Sequence, residues 1–177
     1  MFSTKTQDAT ENVMKIRDEI PGDEATIHEL TKIAFAAVEM SDGSEPRIVD
    51  GLRKNGDLTL SLVALSDDQI VGHIAFSPVE ISEASGQWYG LGPVSVHPEH
   101  QRAGIGRQLI ATGLERLRSL NAAGCVLLGD PGYYSRFGFV SPGDLTFGEV
   151  PTKYVQALAF GPEPARGEVR YTSAFGG

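Results

Sequence analysis

Gln101-Arg102-Ala103-Gly104-Ile105-Gly106-Arg107 joins an apolar run ending at Val96 to a stretch of helical spacing that begins near Ala103. The first turn of a helix leaves its backbone N–H groups without intrahelical acceptors and carries partial positive charge. An anion placed there is stabilised without any cationic side chain. Gly104 and Gly106 have no Cβ, which lets a ligand lie directly against the main chain. The segment reads as a cradle for a phosphate or pyrophosphate.

Beyond this segment, Ile105, Leu109, Leu114, Leu117 and Leu120 recur at helical intervals, while Arg107, Gln108, Glu115, Arg116 and Arg118 take the other positions. The helix should end around Asn121. Residues 125–128 form a short unbroken apolar run, as expected of a central strand buried on both faces. With the run ending at Val96, this makes a strand–helix–strand crossover whose strands should be parallel neighbours. Upstream, Val13, Lys15 and Arg17 alternate with Met14 and Ile16, predicting a first strand, and Pro21-Gly22-Asp23 supplies a turn and a helix cap. Ile27, Leu30, Ile33, Ala34 and Val38 predict a helix. A second, shorter helix carries Ile48, Val49 and Leu52 on one side and stops at Asn55-Gly56. Residues 58–65 and 70–76 flank Asp67-Asp68 as a hairpin, and residues 82–86 turn into a strand over 87–96. Residues 161–167 read as a surface loop before a strand at 169–171. The expected fold is α/β (α+β), a mixed but mostly antiparallel central sheet flanked by helices. Residues 1–11, polar and aperiodic, are expected to be a flexible leader, and 12–177 a single domain.

With 177 residues, 41% of them hydrophobic, the chain has enough apolar mass for one core. The net charge of -8 argues against a nucleic-acid partner, which would require a basic face. Any phosphate site must be local, built from backbone amides with help from Arg102 and Arg107. Cys125 is the single cysteine, no basic stretch precedes an apolar run at the N-terminus, and no apolar run approaches the ~20 residues of a membrane span. These features lead to the expectation of a cytoplasmic protein that uses no membrane. His28, His73, His97 and His100 lack a paired spacing with acidic residues, so no metal is expected.

Two familiar phosphate loops do not fit the segment. Leu109 stands where a dinucleotide-binding G-x-G-x-x-G loop needs its third glycine, and no Gly-Lys-Ser or Gly-Lys-Thr closes a P-loop. A third pattern fits. Val94-Ser95-Val96-His97-Pro98, then Gln101 to Gly106, then a helix, a strand and Tyr134-Ser135-Arg136-Phe137-Gly138-Phe139 resembles the GNAT acetyltransferase superfamily. The family's Q/R-x-x-G-x-G/A signature is met in full, as is its second block at Tyr134, Gly138 and Phe139. Leu128-Gly129-Asp130-Pro131-Gly132-Tyr133-Tyr134 and Val169-Arg170-Tyr171 look like a bacterial subgroup of predicted N-acetyltransferases.

The resemblance implies a GNAT acyl-CoA N-acyltransferase fold whose parallel strand pair is splayed to admit CoA. It implies acetyl-CoA as co-substrate, its pyrophosphate on the amides of Arg102, Ala103, Gly104, Ile105, Gly106 and Arg107, and its pantetheine arm along Val94, Ser95 and Val96. Pro93 suits a bulge or strand start there. A backbone N–H near Val94 to Val96 would stabilise the oxyanion of thioester attack. Tyr134 would protonate the leaving thiolate, uphill by roughly 2 kcal/mol from reference pKa values, with Tyr133 as a packing residue. His97, Glu39, Glu45, Glu80, Glu83 and Asp130 are the candidate bases, and none stands out. Cys125 sits in an apolar strand, so transfer is expected to be direct. The acceptor, a primary amine of a small molecule or of a peptide or protein, would bind near Phe35, Met40, Asp42, Glu45 and Tyr154. A non-catalytic acyl-CoA sensor, or a transferase of longer acyl groups or to a hydroxyl, stays open, as does a homodimer through exposed strand edges.

Overall fold

The expected hairpin meander is the backbone of the sheet in a computed structural model, which describes residues 14–176. The predicted leader, and Val13 of the first strand, lie outside the described residues. The order is β1 (Lys15–Asp18), α1 (Glu24–Phe35), α2 (Glu45–Asn55), β2 (Leu60–Ser66), β3 (Gln69–Glu83), β4 (Trp88–Val96), α3 (Ile105–Ser119), β5 (Gly124–Leu128), α4 (Pro131–Tyr134), β6 (Leu145–Thr146), β7 (Val155–Ala159) and β8 (Arg166–Tyr171). The strands run β1-β2-β3-β4-β5-β7 across the sheet, with β8 on β3 and β6 on β8. All pairings are antiparallel except β4 with β5 and β6 with β8. The α/β class, the mostly antiparallel sheet and the parallel crossover pair are as expected.

Asp67 and Asp68 turn the first hairpin with φ of 48° and 61°, both left-handed, which short polar side chains tolerate. Several boundaries differ from expectation for local reasons. α3 starts at Ile105 rather than near Ala103, because Gly104 at φ 82° cannot sit inside a right-handed helix. Asp23 occupies the N-cap of α1, yet its carboxylate turns to Arg17 (2.7 Å) and to the Ile20 N–H (2.9 Å) instead of capping. α1 ends at Phe35, leaving Val38 beyond it and exposed. β3 runs through Pro78 to Glu83 rather than stopping at Phe76. Its first half pairs with β2 and its second half with β8, while β4 lies along the other edge. The proposed surface loop already becomes strand at Arg166, and β6 and β7 were not foreseen.

α3 lays Ile105, Leu109, Ile110, Leu114 and Leu117 on one face of the sheet against Leu62, Ile74, Phe76 and Leu127, the main core. Truncating a fully buried member such as Leu117 to alanine should cost ~2–5 kcal/mol. α1 and α2 cover the other face, with Ile27 and Val49 on Val63. His73 is fully buried, its Nε2 2.8 Å from Ser61 Oγ. Burial, assisted by the positive charge of Arg53, pushes its pKa down to about 3.

A histidine with a depressed folded pKa binds a proton more readily when unfolded, so it destabilises the fold as pH drops below about 6.5. Between pH 6.5 and 5 it should contribute a total loss of about 1.6 kcal/mol, the slope steepening from about 0.7 toward about 1.4 kcal/mol per pH unit. Urea denaturation across this window should show wild type losing stability at that slope relative to His73→Gln. Parallel curves would mean that His73 is charged in the fold.

Candidate functional site

The parallel ladder of β4 and β5 contains Trp88↔Gly124, Tyr89↔Cys125 and Gly90↔Val126, and then ends. β5 continues to Leu128 paired with β7, and β4 continues to Val96 paired with β3, so the two strands part beyond Gly90. The His97 N–H donates to Val71 O at 2.8 Å, toward β3. Alternation along the strand then turns the N–H groups of Val96 and Val94 to the open edge and that of Ser95 back to β3. Pro93, which has no N–H, stands on the β3 side next to a register shift between Ile74 and Phe76. The Ser95 side chain is buried on the α1–α2 side, opposite His73.

Beyond Val96 a short turn carries the chain to α3. Gln101 Nε2 donates to Val96 O at 3.2 Å, and the Glu99 N–H donates to His97 Nδ1 at 3.2 Å. Arg102 at φ 66° and Gly104 at φ 82° give the turn two left-handed residues, a geometry in which successive amides converge on a concavity. Among the described residues, no amide from Arg102 to Arg107 donates to a main-chain carbonyl outside the helix. They border a cavity of about 550 Å³ that Val96, Arg102, Gly104, Gly106, Arg107, Tyr133 and Arg136 line. A Cβ on Gly106 would stand 3.6 Å from Tyr133 Oη and 3.7 Å from Val96 Cγ2, so a larger side chain would occupy this space. Tyr133, expected only to pack, is a wall of this cavity, with the Arg136 guanidinium 4.7 Å over its ring.

Tyr134 opens instead on a second cavity, of about 400 Å³, shared with Val94 and Glu45. Its position begins at Asp130, whose carboxylate caps α4 by accepting from the Gly132 N–H at 2.9 Å. The ring lies over Gly129, where a Cβ would come within 2.6 Å of Tyr134 Cε2. Gly129 is held in turn by Gln156 Nε2, which donates to its carbonyl at 2.9 Å, and by its own N–H, which donates to Tyr154 O at 3.0 Å. Tyr133 and Phe139 flank the ring edge-on at 4.9 and 6.2 Å. Burial, then the neighbouring Tyr133, pushes the Tyr134 hydroxyl up to about 12, so it is protonated throughout the neutral range.

The other candidates are dispersed. Of the five acceptor residues, Phe35 and Glu45 line the second cavity, whereas Met40 is 94% exposed and Asp42 and Tyr154 lie outside the lining. Of the candidate bases, Glu45 alone reaches that cavity. Glu80 lines a different concavity along β3, Asp130 is a cap, His97 holds the turn, and Glu39 and Glu83 are exposed. Cys125 is fully buried, and burial pushes its thiol up. Ile48, Leu91, Phe147, Tyr171 and Phe175 also line the second cavity. Tyr171 lay within a tail pattern already noted, but nothing in the sequence marks Phe147 or Phe175. Among the described residues there is no group of three or more His, Cys, Asp or Glu able to hold a metal, and no helix long and apolar enough to cross a membrane.

Comparison with known proteins gives a consistent result. Residues 57–141 match the model of the acetyltransferase (GNAT) domain. An uncharacterized N-acetyltransferase of Escherichia coli K12, YhbS, is 42% identical over 127 residues, 71% of this chain and 73% of that protein. A GNAT family acetyltransferase from Brucella melitensis, solved in complex with acetyl-CoA, superposes with TM-score 0.82 at 52% identity over 93% of this chain and 99% of its own. The structure of E. coli YhbS with CoA gives TM-score 0.83 at 35% identity over 92% of this chain and 91% of its own.

Proposed function

The chain belongs to the GNAT acetyltransferase family, and on that premise we propose that it moves the acetyl group of acetyl-CoA directly to a primary amine of a small molecule, peptide or protein, with Tyr134 as general acid. The observation that carries this reading is one of placement. The open-edge amides of Val94 and Val96 run from the phosphate cradle at one end to the Tyr134 cavity at the other.

Bound acetyl-CoA supplies a thioester whose acyl carbon forms a bond to the amine nitrogen as its bond to sulfur breaks. The amides of Arg102 to Arg107 hold the pyrophosphate, with Arg102 and Arg107 adding local positive charge to an acidic protein. Val94 and Val96 present N–H groups to the pantetheine arm and to the developing oxyanion, and Ser95 spaces them. Tyr134 gives its proton to the leaving thiolate. With the hydroxyl at about 12 and a thiol near 8.5, that step is uphill by roughly 5 kcal/mol, more than reference values imply. It still lies well under the ~16 kcal/mol barrier of an enzyme turning over about ten times per second. Of the two protons that the acceptor ammonium loses, one returns to the Tyr134 oxygen and the other goes to solvent. Cys125, buried and away from both cavities, supports transfer without an acyl-enzyme.

Thiol release with an accepted amine should fall about 100-fold or more in kcat for Tyr134→Phe, with acetyl-CoA affinity by calorimetry unchanged. Undiminished turnover would remove Tyr134 from the acid role. The cradle is tested by a pair of glycine variants. Gly106→Leu should weaken acetyl-CoA binding at least about tenfold with little change in melting temperature, because its side chain enters the cavity. Gly104→Ala should cost about 1 kcal/mol of stability from its left-handed φ. Unchanged acetyl-CoA affinity in Gly106→Leu would mean that this glycine serves packing alone.

A further inference from the structure

Among the described residues, one charged side chain, Glu45, lines the Tyr134 cavity together with the rings of Phe35, Phe147, Tyr171 and Phe175. Glu45 stands in the first turn of α2. Ser41 Oγ donates to Glu45 Oε2 at 2.7 Å and accepts from the Gly43 N–H at 3.0 Å, so its proton is directed at the carboxylate and one carboxylate oxygen is fixed. Among the described residues the other oxygen has no donor. Among the described residues, no Lys, Arg or His lines the cavity, although the chain has 15 Lys and Arg. A fixed carboxylate in a cavity lined by aromatic rings attracts a cation through its charge, and ring faces can add to that attraction. The same wall disfavours an acceptor that also carries a carboxylate or phosphate, which would lose its hydration and find no cation. A second ammonium would give up its hydration with no second carboxylate among the described lining residues to meet it, a cost that ring faces alone do not offset.

Resting on the amine-acetylation reading above, we infer that the acceptor is a small primary amine whose single positive charge is at the nitrogen to be acetylated and whose body is aryl or alkyl. Glu45 takes the ammonium and the rings take the body. Glu45 acts in binding, and the proton passes on to water. α-Amino acids, phosphorylated amines and polyamines are discriminated against.

The test follows thiol release by the full chain with acetyl-CoA and phenethylamine, hexylamine, phenylalanine or spermidine, with acetyl-CoA binding measured by calorimetry. Phenethylamine and hexylamine should exceed phenylalanine and spermidine at least about tenfold in kcat/KM. Glu45→Gln should raise the KM for phenethylamine about tenfold or more while kcat stays within about threefold, and Glu80→Gln, on the other concavity, should change neither. Ser41→Ala, which leaves the carboxylate in place but unfixed, should raise KM less, and it serves if Glu45→Gln fails to fold. Equal or better use of phenylalanine or spermidine, or an unchanged KM in both variants, would overturn the inference. So would acetyl-CoA binding with no thiol release from any of the four amines, which leaves the cofactor site standing. Absence of acetyl-CoA binding would instead overturn the acetyltransferase reading beneath it.

Discussion

Three residue pairs of parallel ladder, ending at Gly90 and Val126, are the constraint from which the rest of the site follows. Each strand leaves the other for a better-matched partner. β5 is paired along its full length by β7, and β4 is drawn along β3 past a register shift opposite Pro93. Buried backbone amides are seldom left without acceptors. A cleft edged by the N–H groups of Val94 and Val96 is therefore stable only where water or a ligand's own polar groups can reach it. The crossover helix enforces this geometry, since α3 must begin at the end of β4 and pack back over the sheet, bringing its N-terminus to the mouth of the same cleft.

The charge distribution is consistent with this geometry. A chain of net charge -8 does not attract an anionic ligand through its overall field, so an anion in the first cavity would depend on short-range donors: amides freed by two left-handed residues, with Arg102, Arg107 and Arg136 around them. At the other end of the open edge the surroundings reverse, to aromatic rings and a single carboxylate. The two cavities thus differ in the sign of the charge that lines them, with the strand edge between them. Tyr134 lines the second of them, and the desolvation that raises its hydroxyl keeps it protonated.

The sequence carried the frame of this arrangement because that frame is local. Helical spacing after Ile105, the apolar run at Cys125 and the paired aspartates of the hairpin each reflect the backbone preference of a few consecutive residues, and they predicted the crossover and the meander. Gly104 and Gly106 stood out because a missing Cβ is visible in one letter. The remainder depends on contacts distant in sequence. β3 could be extended past Phe76 only by knowing that β8, nearly a hundred residues later, continues its edge. Tyr133 and Tyr134 are adjacent letters, yet one faces the cradle and the other the second cavity, a division made by the short α4 turn and by Gly129 beneath the ring. Glu45 stood among six candidate bases until α2 placed it in the lining of the Tyr134 cavity, and Phe147 and Phe175 belong to irregular segments with no periodicity to read.

The account turns on the claim that the edge left open beyond Gly90 is where acetyl-CoA lies. Residue-resolved amide hydrogen exchange on the full chain, with and without saturating acetyl-CoA, tests this most directly. The Val94 and Val96 amides should exchange quickly in the free protein and become protected with acetyl-CoA, together with those of Gly104 and Gly106. Ser95 and His97, turned toward β3, should be protected in both states. Protection that appears elsewhere while Val94 and Val96 stay unchanged would contradict the account.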